Sequence, residues 1–171
     1  MFKIAAFISF GDNFNSRVLK LKKKVKNKYG NQIYLNHPVH LTLFTLKIKK
    51  ISSLKKIYIK KSNNNKILKL NINSTGVFYD DPFTNGHTLF YNLTKNKFLK
   101  YIQIKHLKFI NDNIYVSKKP QNNIKNHVLR KNYKKFGFPF AGKIWKPHVT
   151  VASINKIKKN STFIKSFLKQ K

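Results

Sequence analysis

The chain contains no cysteine and no glutamate, and its only carboxylate side chains are Asp12, Asp80, Asp81 and Asp112. Without cysteine there is no disulfide framework, no thiolate nucleophile and no cysteine-based zinc site. Glycosidase-type carboxylate pairs and acidic two-metal sites would have to be built from these few aspartates, two of which are adjacent. General acid–base chemistry by histidine is the easiest chemistry to build from what remains.

Long hydrophobic runs are also missing, because no apolar stretch approaches the ~20 residues that cross a bilayer. The N-terminal stretch Ile4–Phe10 is short and continues into Gly11-Asp12-Asn13 instead of a small-residue cleavage site. This pattern favours a first core strand over a signal peptide. We therefore expect a soluble, cytoplasmic protein that does not bind membranes.

Negative charge is scarce, so the 37 lysines and arginines give a formal net charge of +33. An AT-biased coding sequence would enrich lysine, asparagine, isoleucine and phenylalanine, but it would not remove glutamate, whose codons are A-rich. A one-sided charge attracts polyanions, which favours a nucleic-acid partner over compositional drift. The basic residues are spread along the chain, and this predicts a broadly positive surface that binds without specifying sequence.

The apolar patterning predicts a mixture of strands and helices. A length of 171 residues fits one domain or two small lobes that share a core, and a hydrophobic content of 41% is sufficient to form it. Strands are predicted at residues 3–10, 37–48, 66–79, 87–93 and 148–154, and helices at about 13–30, 95–110 and 124–137, with a further short helix after Ser52 or Ser53. Residues 163–168 are predicted to form a final helix or a lysine-rich edge element. The first helix should be capped by Asp12 or Asn13 and end at Gly30, and Gly76 should mark a bulge or a close approach. The chain is predicted to be an α+β unit.

Two of the predicted strands carry the pattern apolar-His-apolar-Thr-apolar, at His40–Thr42 and at His148–Thr150. Residues i and i+2 of a strand share a face, so each histidine lies beside its threonine, opposite the apolar neighbours. Either motif alone has a simple explanation as a half-exposed strand, where threonine is common. Their repetition in the two halves of the chain, with matching apolar neighbours, predicts a functional site.

With these motifs the sequence resembles the two-histidine phosphoesterases, also called the 2′-5′ RNA ligase-like or LigT-like superfamily. His40-Leu41-Thr42-Leu43 and His148-Val149-Thr150-Val151 are close to the family pattern, and Gly76-Val77-Phe78 and Trp145-Lys146-Pro147-His148 are similar to further family elements. The resemblance implies one domain over residues 1–171, with two pseudo-symmetric lobes of antiparallel sheet flanked by helices and a central cleft. The extreme basicity and the lysine-rich C-terminal segment depart from the family.

The resemblance also implies the chemistry. His40 and His148 would be the general acid and base, in an order that their near-equivalent motifs leave open, and Thr42 and Thr150 would donate hydrogen bonds to the phosphate oxygens. No metal or other cofactor is implied. The implied reaction is hydrolysis of RNA 2′,3′-cyclic phosphates to 2′-phosphomonoesters, with reversible 2′-5′ ligation, by a protein that we expect to be monomeric. The alternatives are a phosphodiesterase for 2′-5′ oligonucleotides or cyclic nucleotide signals, and a non-catalytic basic RNA-binding module.

Several residues near the motifs are weaker candidates. Lys146 could contact a phosphate, and Tyr79 and Trp145 could stack on a base. Aromatic residues in strands are more often core, and this is the interpretation favoured for Phe44 and Phe78.

The other histidines are assigned no catalytic role. His37 and His40 form a His-x-x-His pair, but on a strand they would point to opposite faces, and no glutamate accompanies them, so a zinc site is not expected. His87, His106 and His127 are predicted to be surface or packing residues.

Overall fold

The computed structural model describes residues 1–51, 69–81, 83–119, 126–155 and 157–170. The predicted α+β class is confirmed. In chain order the elements are β1 (Phe2–Ser9), α1 (Asp12–Tyr29), β2 (His40–Ile48), β3 (Ile72–Asp81), β4 (Gly86–Leu93), α2 (Lys97–Asn113), α3 (His127–Phe136), a 3-10 turn (Gly142–Ile144), β5 (His148–Ile154) and α4 (Thr162–Leu168). The helix predicted after Ser52 or Ser53 lies outside the described residues. None of the helices in the described ranges is long and apolar enough to cross a bilayer.

The strands form an open sheet in the order β1-β2-β5-β4-β3. The pairs β2–β5, β5–β4 and β4–β3 are antiparallel. β1 lies at one edge of the sheet, and its residues alternate between exposed and half-buried. The prediction that the first strand is buried was therefore wrong, because an edge strand has a neighbour on one side only.

The chain divides into two compact units. The first comprises Met1–Phe7, Thr42–Lys69 and Lys95–Lys146, and the second comprises Ile8–Leu41, Leu70–Thr94 and Pro147–Lys171. The buried side chains of the first unit include Leu46, Ile48, Leu99, Leu107, Ile110 and Phe136. Those of the second include Val18, Leu41, Leu89, Tyr91, Val149, Ile164 and Phe167.

The first unit contains a buried amide that joins three segments. The Gln103 side chain on α2 is 0% exposed. Its Nε2 donates to the carbonyl oxygens of Leu43 at 2.9 Å and Phe140 at 3.1 Å. Its Oε1 accepts from the backbone N–H of Gly142 at 2.9 Å. One side chain therefore satisfies backbone groups of β2 and of the segment that precedes Trp145.

In the second unit, α1 begins differently from the prediction. Its N-cap is Gly11, which makes no side-chain capping bond, so the expected cap at Asp12 or Asn13 was wrong. Asp12 is instead the first helical residue, where a carboxylate interacts favourably with the helix dipole. The predicted end at Gly30 is confirmed.

A buried lysine on α1 holds the segment that leads into β2. Lys22 is only 4% exposed. Its Nζ donates to the carbonyl oxygens of Tyr34 at 2.7 Å and His37 at 2.6 Å. Burial lowers the pKa of Lys22 to about 8, because the charged form loses its hydration. The two hydrogen bonds secure a turn that ends just before His40.

Candidate active site

The two His-x-Thr motifs lie on neighbouring strands. Leu41 on β2 faces Val149 on β5 in antiparallel register, so His40 is level with Thr150. Leu41 and Val149 are 0% exposed, whereas His40, His148 and Thr150 are half-buried. Because strand side chains alternate between faces, these three project from the side of the sheet opposite Leu41 and Val149.

The register also sets the spacing of the two histidines. Since His40 is directly opposite Thr150, its diagonal neighbour two residues along β5 is His148. Diagonal neighbours on one face of an antiparallel pair lie about 7–8 Å apart, and their Cβ atoms are somewhat closer. The two imidazoles are therefore close enough to contact one small group placed between them.

The tautomer of His40 follows from its backbone contact. Its Nδ1 lies 2.6 Å from the carbonyl oxygen of Pro38. A carbonyl oxygen can only accept a hydrogen bond, so Nδ1 carries the proton. In the neutral ring, Nε2 is then the nitrogen that accepts a hydrogen bond.

His148 packs against two phenylalanines. The rings of Phe78 and Phe90 are stacked with centroids 4.0 Å apart. Each also meets the His148 ring edge-on at 5.4 Å. Edge-to-face contacts of this kind fix ring orientation in addition to burying area. Phe78 is half-buried beside a histidine, so its assignment to the core was wrong, whereas Phe44 is buried as predicted.

Gly76 provides the space for this aromatic pair. It faces Phe90 in the β3–β4 register. A Cβ atom at Gly76 would lie 2.5 Å from Cζ of the Phe90 ring, well inside van der Waals contact. The predicted close approach at Gly76 is confirmed, and the atoms that require it belong to the ring beside His148.

Sequence patterning alone missed two neighbours on β4. Phe90 is opposite Thr150 and Asn92 is opposite His148. The Asn92 amide donates to Ser74 Oγ at 3.0 Å. The alternation along β4 gave both residues the same face, but nothing in the sequence indicated that β4 pairs with β5.

The structure does not bring Tyr79 together with this cluster. Its ring is 42% exposed and meets His87 edge-on at 5.3 Å. On β4, His87 lies on the face opposite Phe90, and Lys159 Nζ lies 6.0 Å from the Tyr79 ring centroid. Lys159 also hydrogen-bonds to Asp80, and this contact keeps the pKa of that carboxyl below its usual value.

The remaining predicted site residues, Thr42, Trp145 and Lys146, belong to the first unit. Thr42 is half-buried and shares the β2 face of His40 by strand alternation. Trp145 is 7% exposed, and its backbone N–H donates to the carbonyl oxygen of Gly142 at 3.2 Å. Lys146 is exposed.

The other four histidines do not share the surroundings of His40 and His148. His37 precedes the first residue of β2, so it occupies a turn and not the strand that was predicted to contain it. His87 is buried and accepts a hydrogen bond from the backbone N–H of Asp80 at 3.1 Å. His106 and His127 are exposed on helices, as expected for surface residues. Within the described ranges, no group of three or more metal-ligating side chains is present.

The α+β fold with an open five-stranded sheet is consistent with the fold of the two-histidine phosphoesterase-like proteins. A family model for the AKAP7 2′5′ RNA ligase-like domain matches residues 5–171. The chain belongs to this family, and with it to the 2′-5′ RNA ligase-like superfamily, which is a superfamily of enzymes. Searches of curated proteins and of solved structures found no significant match.

Proposed function

We propose that this protein is a metal-independent phosphoesterase that hydrolyses RNA 2′,3′-cyclic phosphates, with His40 and His148 as general acid and base. The observation that carries the proposal is their position as diagonal neighbours on one face of β2 and β5. Imidazoles exchange protons near neutral pH, and a separation of about 7–8 Å between diagonal neighbours leaves room for one phosphate between the rings.

In the proposed reaction, one imidazole removes a proton from water while the water oxygen attacks phosphorus. The bond from phosphorus to the ribose 3′ oxygen breaks, and the second imidazole, in its protonated form, gives a proton to that oxygen. The product is a 2′-phosphomonoester with a free 3′ hydroxyl. The same sequence, with a 5′ hydroxyl in place of water as the attacking group, would join two ends through a 2′-5′ linkage.

Neighbouring side chains have supporting roles. The bond from Nδ1 to the Pro38 carbonyl holds His40 in the tautomer whose Nε2 exchanges protons. The Phe78 and Phe90 rings fix the plane of His148. The hydroxyls of Thr42 and Thr150 donate to the non-bridging phosphate oxygens, where negative charge increases in the transition state.

Of the three substrate-binding candidates, Lys146 is the residue that we propose to contact the phosphate. It is exposed and adjoins the β5 motif in sequence, so its ammonium group can meet a phosphate. Trp145 is too buried to offer a ring face to a base, and Tyr79 contacts His87 instead of His148.

The test is turnover of a short RNA that ends in a 2′,3′-cyclic phosphate, with and without a chelator. We expect a 2′-phosphomonoester product, a rate that the chelator does not change, and the bell-shaped pH–rate profile of general acid–base catalysis. A strict metal requirement would contradict the mechanism.

Parallel assays with a 2′-5′ oligoadenylate and a cyclic dinucleotide separate the substrate alternatives. If either one is turned over faster than the RNA 2′,3′-cyclic phosphate, that compound is the preferred substrate. RNA binding without turnover of any of the three would favour a non-catalytic binding module.

A further inference from the structure

A second concave surface lies against α1, and we call it the α1 cavity. Its volume is about 560 Å³, and its lining includes Ser16, Arg17, Lys20 and Lys24 from α1 together with Tyr91 and Gln170. All of these residues belong to the second unit.

The α1 cavity is on the other face of the sheet from the paired histidines. Tyr91 faces Val149 across β4 and β5, whereas the neighbour of His148 is Asn92. Because adjacent residues of a strand project to opposite faces, Tyr91 points away from the side that carries His148. A ligand in the α1 cavity would therefore not occupy the candidate active site.

The lining of the α1 cavity is cationic. Arg17, Lys20 and Lys24 are spaced by three and four residues, so they share one face of the helix over about 10 Å of its length. Among the residues that the structure describes, no carboxylate side chain is part of the lining, and Asp12 lies a full turn before Ser16. Three cationic side chains on one concave surface attract a polyanion.

Arg17 distinguishes this cluster from the abundant surface lysine. It is one of only two arginines among the chain's 37 basic residues. A compositional drift that enriches lysine explains the lysines of the chain but not this arginine. A planar guanidinium binds phosphate through two parallel hydrogen bonds, which lysine cannot provide.

The Tyr91 ring, which lies beneath the Arg17 guanidinium, is fixed by a hydrogen bond and by two aromatic contacts. The guanidinium carbon lies 5.6 Å from the centroid of the Tyr91 ring. Tyr91 is 1% exposed, and its hydroxyl donates to Gln170 Oε1 at 3.2 Å. Phe14 and Phe167 meet the same ring edge-on at 5.8 Å and 5.7 Å. The aromatic ring that Arg17 rests on therefore has little freedom to move.

We propose that the α1 cavity binds a ligand with more than one phosphate group, through Arg17, Lys20 and Lys24. The shared chemistry is that of closely spaced phosphates, which occur in a small polyphosphate and in the backbone of an RNA strand. This inference does not depend on catalysis by His40 and His148.

The experiment measures binding of inorganic tripolyphosphate to the full chain by calorimetry at physiological ionic strength. The test variant is Arg17→Gln/Lys20→Gln, and the matched control is Lys23→Gln/Lys26→Gln, which removes the same charge from exposed positions of the same helix outside the lining. We expect affinity to fall about tenfold or more in the test variant, as charge-assisted hydrogen bonds are lost, and less than about threefold in the control. Equal losses in both variants, or no binding by the wild type, would overturn the proposal.

A second arm uses an RNA oligonucleotide without a cyclic phosphate. If its binding weakens in the test variant and tripolyphosphate displaces it, the ligand is the RNA backbone. If only tripolyphosphate binding changes, the ligand is a small polyphosphate. His148→Ala should leave tripolyphosphate affinity unchanged, so a failure of the catalytic proposal can be told apart from a failure of this one.

Discussion

The absence of a side chain at Gly76 is what allows Phe90 to lie beside His148. The Phe90 ring occupies the position that a Cβ atom at Gly76 would need, and the same ring packs edge-on against the histidine. A side chain added at Gly76 on β3 should therefore displace the Phe90 ring and change the packing around His148.

We predict that Gly76→Ala destabilises the protein by about 1–3 kcal/mol, as overpacking does, and lowers kcat more than it raises KM. The reason is that the displaced Phe90 ring no longer fixes the His148 imidazole. Thermal unfolding and steady-state kinetics on the cyclic phosphate measure the two effects. Gly11→Ala is the control for activity, because a Cβ at Gly11 meets no atom within 4 Å. Full kcat in a folded Gly76→Ala protein would contradict the role given to Phe90.

Lys22 links the stability of the fold to pH. Burial lowers its pKa from 10.5 in the unfolded chain to about 8 in the folded one. Between these values the unfolded state binds more protons, so the contribution of Lys22 to stability rises with pH. Below pH 8 the charged ammonium remains buried, and this part of the stability is lost.

We therefore predict that the free energy of unfolding of the wild type, relative to Lys22→Met, increases between about pH 8 and pH 10. Methionine has a similar length and no titratable group, so the comparison cancels the titration of the other residues. Urea unfolding at several pH values gives both quantities. A difference that stays constant over this window would show that the Lys22 pKa is not lowered.

For the elements around the site, the sequence predicted some strand bounds correctly but not the strand pairing or the helix cap. β5 was predicted with the bounds that the structure shows, because His148–Ile154 is short, apolar and preceded by a proline. The pairing of β2 with β5 was not predictable, since strand order depends on contacts between residues far apart in the chain. The α1 cap was missed because Gly11 adopts the cap conformation without a side chain to reveal it.

The buried Gln103 amide on α2 stabilises the first unit by bonding to backbone groups. Gln103→Met keeps the side-chain volume but leaves two carbonyl groups and one N–H group without their partner. We expect a loss of about 2–4 kcal/mol of stability, since unpaired buried polar groups each cost about 1–3 kcal/mol and partial relaxation recovers some of it. Chemical denaturation measures this loss. His106→Ala, at an exposed position of the same helix, should change stability little, and an equally small effect for Gln103→Met would contradict the structural role of the amide.

For the whole molecule, the sequence predicted the α+β class and the family, but not the residues that surround His40 and His148. The repeated motif makes His40 and His148 candidates for the acid and the base, and this assignment stays a prediction. Phe90 and Asn92 joined the site only when the β4–β5 register was known. Residues on a third strand cannot be assigned to a site before the sheet order is known.

The net charge of +33 predicts that RNA binding depends steeply on salt. Single-stranded nucleic acid releases counterions with a slope of about −0.7 per neutralised phosphate, so four contacts give a slope near −3 in a plot of log K against log salt concentration. Fluorescence anisotropy with one labelled oligonucleotide at several salt concentrations measures the slope. A slope near zero would mean that the charge does not contribute to binding.

The most direct test of the central claim compares His40→Ala and His148→Ala with the wild type in turnover of the cyclic phosphate. His106→Ala, which alters an exposed helical histidine, is the matched control. Loss of an acid or a base should lower kcat by about 10²–10⁴-fold in each site variant, with RNA affinity and thermal stability nearly unchanged. If either folded variant retained wild-type turnover, the paired histidines would not be the acid and base of this enzyme.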